Sequence, residues 1–274
     1  GSGRVVAGRG RSGHGMEVGN ATLAGSGVGG FGLPREAGVQ GGLQEGLLIG
    51  VAFLLECLAL ELLSLDTVAG LLRKHGGREL YLKGISYNLV NMLLITPLMY
   101  LISEPFNGPA YQPAVVVASK VFLGLFIHSI WYYLAHRAMH TRPLYWMHAF
   151  HHKYNTHITP AAANAVTPAE YFFAYSLPFV VGAAMLHPER KTKWIVATAL
   201  SLTNLCIHMP AMEKVHAQWL PSWLVSATFH ADHHRKLVMN YAAPTLNWDG
   251  VVQAVPPLNV ALARLFGKGY KAKE

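Results

Sequence analysis

Charged residues and cysteines are scarce in this chain. Of its 274 residues, 13% are charged and 52% are hydrophobic, whereas about a quarter of an average soluble domain is charged. This composition argues against a water-soluble protein. The two cysteines, Cys57 and Cys206, lie in apolar segments, so we expect buried thiols and neither a disulfide framework nor a cysteine metal site. Any metal site must therefore use imidazole, carboxylate or water ligands.

Several recognition signals are also missing. The sequence has no evident internal repeat, no haem motif and no dinucleotide fingerprint, so it indicates neither a repeat array nor a built-in redox cofactor. A formal charge of +8 would suit nucleic acid, but the basic residues are scattered between apolar runs, as at the flanks of membrane helices. We therefore expect no nucleic-acid partner.

Long apolar runs are what the chain does contain. They cover residues 43–63, about 85–102, about 114–134 and a hairpin from about 171 to 209. Runs near 20 residues are long enough to cross a bilayer as helices, and strand signals are weak. The sequence therefore predicts an all-α integral membrane bundle of about four spans, with residues 43–274 as one membrane-embedded domain.

The first 42 residues differ from the rest. They are rich in glycine and arginine and show no sustained apolar period, which predicts a flexible N-terminal tail. Met16 is a possible true start, and the arginine-rich stretch before it also suits a plastid transit peptide.

Basic residues indicate the orientation of the spans. A basic loop at residues 73–83 follows the first run and is expected to face the cytoplasm. Strict alternation then places Arg190, Lys191 and Lys193 on the far side, against the positive-inside tendency. A pair of short or re-entrant helices would remove this conflict, and both arrangements stay open here.

Histidines concentrate in three motifs between residues 128 and 255, namely HRAMH, HAFHH and HADHH. Helical positions i, i+3 and i+4 share a face, so each motif is expected to present one imidazole patch. Eight neutral imidazoles exceed the needs of one tetrahedral ion, and burying them without metal would be costly. The sequence therefore predicts two metal ions held by His136, His140, His148, His151, His152, His230, His233 and His234.

The motif residues discriminate between classes of metal protein. A zinc protease of the HExxH type needs a glutamate after its first histidine, and Arg137 stands there instead. A metal transporter usually places its ligands inside spans, whereas these motifs flank the apolar runs. Two nitrogen-ligated irons that use dioxygen on a C–H bond fit better. A histidine-rich metal transporter and a catalytically inactive lipid-binding relative stay as alternatives from other classes.

The three motifs, in this order and followed by NYAAPTLNWDG at residues 240–250, resemble the fatty acid hydroxylase and sterol desaturase superfamily. YSLP at residues 175–178 and the pair Ile207 and His208 resemble its sterol C5-desaturase branch. The resemblance implies a cytosolic, histidine-lined di-iron cap that hydroxylates or desaturates a lipid with dioxygen. It favours a sterol intermediate over a fatty acyl or sphingoid substrate, and the endoplasmic reticulum membrane over a plastid membrane.

The resemblance also implies further site residues. His208 is similar to an additional family ligand, whereas His157 is interpreted as a surface residue. Because ligating imidazoles usually donate their other N–H to a carboxylate, candidates for that supporting role are Asp232, Asp249 and Glu170. Family members often carry a histidine where Thr167 stands, so one ligand is in doubt unless Asn164 or water fills the place.

Cofactors and partners follow from the same resemblance. It implies two iron ions cycling between Fe2+ and Fe3+, with zinc as a possible substitute, a lipid substrate from the bilayer and contacts with membrane lipids. Because the chain lacks a redox cofactor motif, electrons are expected from an external donor such as cytochrome b5 or ferredoxin with its reductase. Basic residues that suit either lipid headgroups or an acidic donor are Arg137, Arg142, Lys153, Arg235 and Lys236.

Overall fold

The computed structural model describes residue 1, residues 36–155 and residues 157–267. Within these ranges the chain is almost wholly helical, and the only extended pairing there is an isolated bridge between Leu224 and Leu246. The predicted all-α class is confirmed. The predicted transit peptide, Met16 and most of the predicted tail lie outside the described residues.

Thirteen α-helices occur among the described residues. In chain order they are α1 (Glu36–Leu62), α2 (Leu65–Arg73), α3 (Gly77–Val90), α4 (Thr96–Ser103), α5 (Ala114–Met139), α6 (Tyr145–His148), α7 (Pro168–Glu170), α8 (Leu177–Leu186), α9 (Arg190–Ile207), α10 (Met212–Trp219), α11 (Ala227–Lys236), α12 (Trp248–Ala254) and α13 (Pro256–Phe266). π-helical turns at Asn91–Ile95 and Tyr171–Ser176 join α3 to α4 and α7 to α8, and single 3-10 turns lie at Glu104–Phe106, His151–Tyr154 and Pro160–Asn164.

Four stretches have the length and apolar composition of membrane spans, as predicted. They are Gln40–Leu62, Gly77–Phe106, Ala114–Met139 and Pro168–Leu186. After the fourth stretch, α9 runs back in the opposite direction, and α10 follows it after a bend of 111°. Many large apolar side chains on these stretches point outward, which suits contact with lipid.

The first helix begins earlier than the sequence indicated, because its glycines form a packing face. Gly42, Gly46 and Gly50 are spaced by four residues and lie against the span that contains α4. A Cβ atom at Gly46 would collide with Pro97, and one at Gly50 with Met92. Small residues at this spacing let two helix backbones approach closely. The prediction that the flexible tail extends to residue 42 is therefore wrong for residues 36–42, which are helical.

The α8–α9 hairpin crosses the bundle completely. Its turn lies beside the connection between α4 and α5, since Gly108 N donates to Pro188 O at 2.9 Å. Lys120 Nζ also donates to His187 O at 2.8 Å. The far end of α9 delivers His208 to the other histidines. The turn and the histidines therefore lie at opposite ends of the bundle, which is the arrangement that strict alternation predicts.

The three basic residues at that turn are compensated by carboxylates. Arg190 pairs with Glu104, and Lys193, which is only 2% exposed, lies 4.0 Å from the same carboxylate. Lys191 pairs with Glu189 at 3.0 Å. Each pair offsets part of the charge of its basic residue. The positive charge at this turn is therefore paired with carboxylates.

Candidate metal centre

Nine buried histidines converge at the end of the bundle opposite the α8–α9 turn, and they form two groups. In each group the candidate ligand atoms lie within 4.8 Å of one another, and none of the nine histidines is more than 6% exposed. The first group contains His136, His140, His148, His152 and His233, and the second contains His151, His208, His230 and His234. These are the eight motif histidines together with His208.

The two HxxHH motifs each serve both groups. On the segment 148–152, His148 and His152 join the first group and His151 joins the second. The third motif reverses this pattern, because its i and i+4 residues join the second group and its i+3 residue, His233, joins the first. Positions i+3 and i+4 are consecutive and point about 100° apart around a helix axis, enough to direct neighbouring ligands to different groups. The expectation of one patch for each motif is therefore corrected.

Three backbone carbonyls set the orientation of the imidazoles. Nδ1 of His136 donates to Tyr241 O, Nδ1 of His233 to Met239 O and Nδ1 of His208 to Asn204 O, each at 2.7 Å. A carbonyl oxygen can only accept, so each Nδ1 carries the hydrogen and each Nε2 of the neutral ring carries a lone pair. These three lone pairs are directed into the two groups.

The converging nitrogens fit a bound cation. His136 Nε2 lies 2.8 Å from His148 Nε2, while His148 Nδ1 donates to Glu170 Oε1 at 2.6 Å. Neither Nε2 then has a hydrogen to share, so the two lone pairs repel. Nε2 of His233 is buried without a hydrogen-bond partner among the described residues. A metal ion satisfies all three nitrogens, and imidazole is a good ligand for iron and zinc.

Burial keeps these imidazoles in the neutral form that binds metal. It lowers the pKa of His233 to about 4. The pKa values of His152 and His234 fall well below their ordinary range because of burial and the repulsion of neighbouring imidazoles. At neutral pH the rings therefore present lone pairs rather than protons.

The three candidate carboxylates have different roles. Glu170 contacts His148 directly, and both side chains are fully buried. Asp249 acts through the backbone, because its Oδ2 accepts from Ala242 N at 2.7 Å beside the Tyr241 carbonyl. Asp232 instead pairs with Lys236 at 2.9 Å and with Arg235 at 3.5 Å on the surface of α11. The interpretation of Asp232 as a support for a histidine is therefore corrected.

Thr167 caps a helix at the place where family members often carry a histidine. Its Oγ1 donates to Met147 O at 2.8 Å and accepts from Glu170 N at 3.2 Å, which positions the carboxylate that holds His148. Asn164, the proposed substitute ligand, is buried and its Oδ1 accepts from Asn204 Nδ2 at 3.4 Å. His157 lies outside both groups.

Some supporting groups were not found from the sequence. The carbonyls of Met239 and Asn204 carry no side-chain signal, since any residue offers a backbone oxygen. His128 is 2% exposed and its Nε2 lies 3.2 Å from Tyr175 O. His128 stands alone in the sequence and belongs to no histidine motif, and it lies outside both groups.

Four apolar spans and two buried histidine groups at one end of the bundle define a class of helical membrane proteins suited to hold two metal ions. The model of the fatty acid hydroxylase family matches residues 121–254. This region, which contains all nine histidines, is therefore a fatty acid hydroxylase domain, and the superfamily resemblance predicted from the motifs is confirmed.

Curated relatives share part of this chain. A very-long-chain aldehyde decarbonylase of Oryza sativa subsp. indica is 29% identical over 179 residues, which cover 62% of this chain and 65% of the relative. A methylsterol monooxygenase of Aspergillus fumigatus is 31% identical over 130 residues, covering 45% and 43%. One of Arabidopsis thaliana is 27% identical over 156 residues, covering 50% and 55%. The chain thus spans less than two thirds of these relatives, and no solved structure matches it.

Proposed function

We propose that this protein is a dioxygen-dependent membrane di-iron oxidoreductase that hydroxylates or desaturates a C–H position of a lipid. The observation that carries this proposal is the division of nine buried, neutral imidazoles into groups of five and four at the end of an apolar bundle. The fatty acid hydroxylase domain and relatives named as methylsterol monooxygenases support it.

The chain's own residues would hold and shield the metals. Two bound iron ions would supply the activation of dioxygen, a task that zinc could not perform although it would fit the same ligands. Glu170 accepts the Nδ1 hydrogen of His148 and so directs its Nε2 inward. The burial of all nine rings keeps water from the oxidising site.

The overall reaction requires electrons from outside the chain. Hydroxylation consumes one dioxygen, two electrons and two protons, and yields the alcohol and one water. Desaturation consumes the same reagents and yields the alkene and two waters. Since the sequence has neither a haem motif nor a dinucleotide fingerprint, an external one-electron donor such as cytochrome b5 or ferredoxin with its reductase is part of the proposal.

An apolar groove offers the lipid a route from the bilayer. It has a volume of about 770 Å³, lies between α5 and α8 and is lined by apolar side chains. Met139 and Met147, exposed by 2% and 6%, form its floor. They directly precede His140 and His148 of the first group. Two flexible methionine side chains thus separate a lipid-facing groove from the candidate metal centre.

Filling this groove is expected to lower lipid oxidation without removing metal. Ala138→Trp should decrease product formation about tenfold or more, because the larger side chain occupies space that a substrate methylene needs. Leu123→Trp is the matched control, since Leu123 is 41% exposed on the same helix and does not line the groove. Product is measured by mass spectrometry and iron by elemental analysis. Equal activity of both variants would exclude the groove as the route.

The substrate class proposed is a sterol intermediate, with a fatty acyl or sphingoid chain as the alternative. The two relatives named as methylsterol monooxygenases favour the sterol, whereas the relative named as a very-long-chain aldehyde decarbonylase favours a linear chain. None of these three is a sterol C5-desaturase, so that branch stays a prediction. The endoplasmic reticulum membrane is the proposed location, and a plastid membrane is the alternative.

The lipid profile of a yeast host tests the proposed function. The chain is expressed in one strain that lacks sterol C5-desaturation and in another that lacks methylsterol oxidation, with His233→Ala as the inactive control. We expect the intact chain alone to restore the missing sterol step in one strain. A new hydroxylated acyl or sphingoid species would support the alternative substrate. Altered metal uptake without any new lipid would favour a transporter, and no new product from an iron-loaded chain would favour an inactive relative.

A further inference from the structure

A basic depression lies on the surface at the turn between α2 and α3. We call it the lysine pocket. It has a volume of about 320 Å³, and its lining includes Lys74, His75, Lys83 and Lys153, with Phe150 as a buried floor. Gly76, which has a φ of 70°, forms the tight turn that brings Lys74 close to the start of α3. Segments distant in sequence thus contribute positive charge to one place.

The charge of this pocket is largely uncompensated. Within the described part of the chain, none of its three lysines has a carboxylate oxygen within 4.0 Å, and Glu79 is the only acidic residue in the lining. Three other basic residues near the histidine motifs are engaged elsewhere. Arg235 and Lys236 pair with Asp232, and Arg137 donates to Tyr133 Oη at 2.9 Å. Lys153, in contrast, lines the lysine pocket together with Lys74 and Lys83.

The floor of the pocket is adjacent to both histidine groups. Lys83 Nζ and Lys153 Nζ lie 5.6 Å and 5.9 Å from the centre of the Phe150 ring, which is only 7% exposed. Phe150 directly precedes His151 of the second group and His152 of the first. A protein bound at the pocket would therefore contact Phe150, which is one position before a candidate ligand of the second group and two positions before one of the first.

We propose that the lysine pocket docks the acidic face of a small one-electron donor protein. This inference rests on the proposed function, which needs electrons from outside. At each encounter the donor would lose one electron to bound iron, with no bond made or broken, so two encounters would supply the two electrons of one turnover. Opposite charges steer such encounters and set their orientation, and the attraction weakens as salt rises.

Binding of an acidic carrier tests the pocket without requiring turnover. The full chain in nanodiscs of neutral lipid is titrated with the soluble haem domain of cytochrome b5 at low salt, with and without loaded iron. Lys83→Glu combined with Lys153→Glu should raise Kd about tenfold or more. The matched control is Lys214→Glu combined with Arg264→Glu, which makes the same change in net charge at exposed positions outside the pocket. We expect it to change Kd less than about threefold.

Three outcomes would overturn the docking proposal. An unchanged Kd for the pocket variant would place the donor elsewhere. An equal loss in both double variants would show a general field effect rather than a site. Unchanged donor binding, combined with lost binding to phosphatidylserine vesicles, would assign the pocket to lipid headgroups.

A second measurement separates this proposal from the proposed function. Chemically reduced, iron-loaded protein is exposed to dioxygen and lipid in a single turnover, which needs no donor. A lack of product there, together with a tenfold effect on donor binding, would reject the lipid oxidation and support the docking. Product in both the native chain and the pocket variant, with slower reduction of the variant by the donor alone, would support both.

Discussion

His140→Ala is expected to remove one metal ion and His230→Ala the other, so that each variant retains about one iron per chain where the native protein holds two. The reason is the division of the ligands, because His140 belongs to the group of five and His230 to the group of four. Lipid oxidation should fall by about three orders of magnitude or more in both, as for members of a unit that acts together. Iron is measured by elemental analysis of the purified protein, and product by mass spectrometry.

The controls for this prediction use two other histidines. His75→Ala changes an exposed histidine outside both groups and should leave two irons per chain. His208→Ala should behave like His230→Ala, because His208 Nε2 lies 2.9 Å from His230 Nε2. A native iron content in His140→Ala or His230→Ala would contradict the two-group assignment. Simultaneous loss of both ions in either variant would show that the groups fill only together.

Glu170→Gln should weaken metal binding at the first group by about 10-fold to 100-fold, the usual effect of losing a carboxylate that holds a ligating histidine. Glu170 Oε1 lies 2.6 Å from His148 Nδ1, and both side chains are fully buried. Glutamine preserves the size of the side chain and can still accept the hydrogen bond, but it lacks the negative charge that raises the basicity of the imidazole. The affinity is measured by competition with a chelator.

Asp232→Asn is the matched control for the glutamate variant. Asp232 pairs with Arg235 and Lys236 on the surface of α11, so its neutralisation should leave both metal affinities within about twofold of native. Weaker metal binding at the second group of the Glu170→Gln variant would contradict a local role for this carboxylate. Equal effects of the two substitutions would return Asp232 to the set of supporting residues.

Much of the candidate centre was predictable because its signals are local in sequence. Histidine side chains at i, i+3 and i+4 indicate a shared helix face, and Glu170 follows a recognisable Pro-x-Glu pattern. The assignment of ligands to two groups was not predictable. His233 and His234 are neighbours on α11, yet they join different groups, because consecutive side chains point about 100° apart around a helix and meet histidines from different segments.

The predictions that the structure corrects concern residue types that serve two purposes. Glycine predicts a flexible tail by composition, but Gly42 lies on a helix that packs against another backbone. Aspartate inside a histidine motif suggests a hydrogen bond to an imidazole, but Asp232 has basic residues three and four positions later and pairs with them. Packing against another helix decides the role of the glycine, and basic residues on the same helix face decide the role of the aspartate.

The sequence by itself determined the helical class, the four apolar spans and the order of the histidine motifs, because hydrophobic period and residue type are local properties of the chain. Only the tertiary structure decided which histidines share a group, and that the Tyr241 carbonyl orients His136 from 105 residues away. These features depend on contacts between segments that lie far apart along the chain. Their geometry is set by how the helices pack, and no local pattern encodes it.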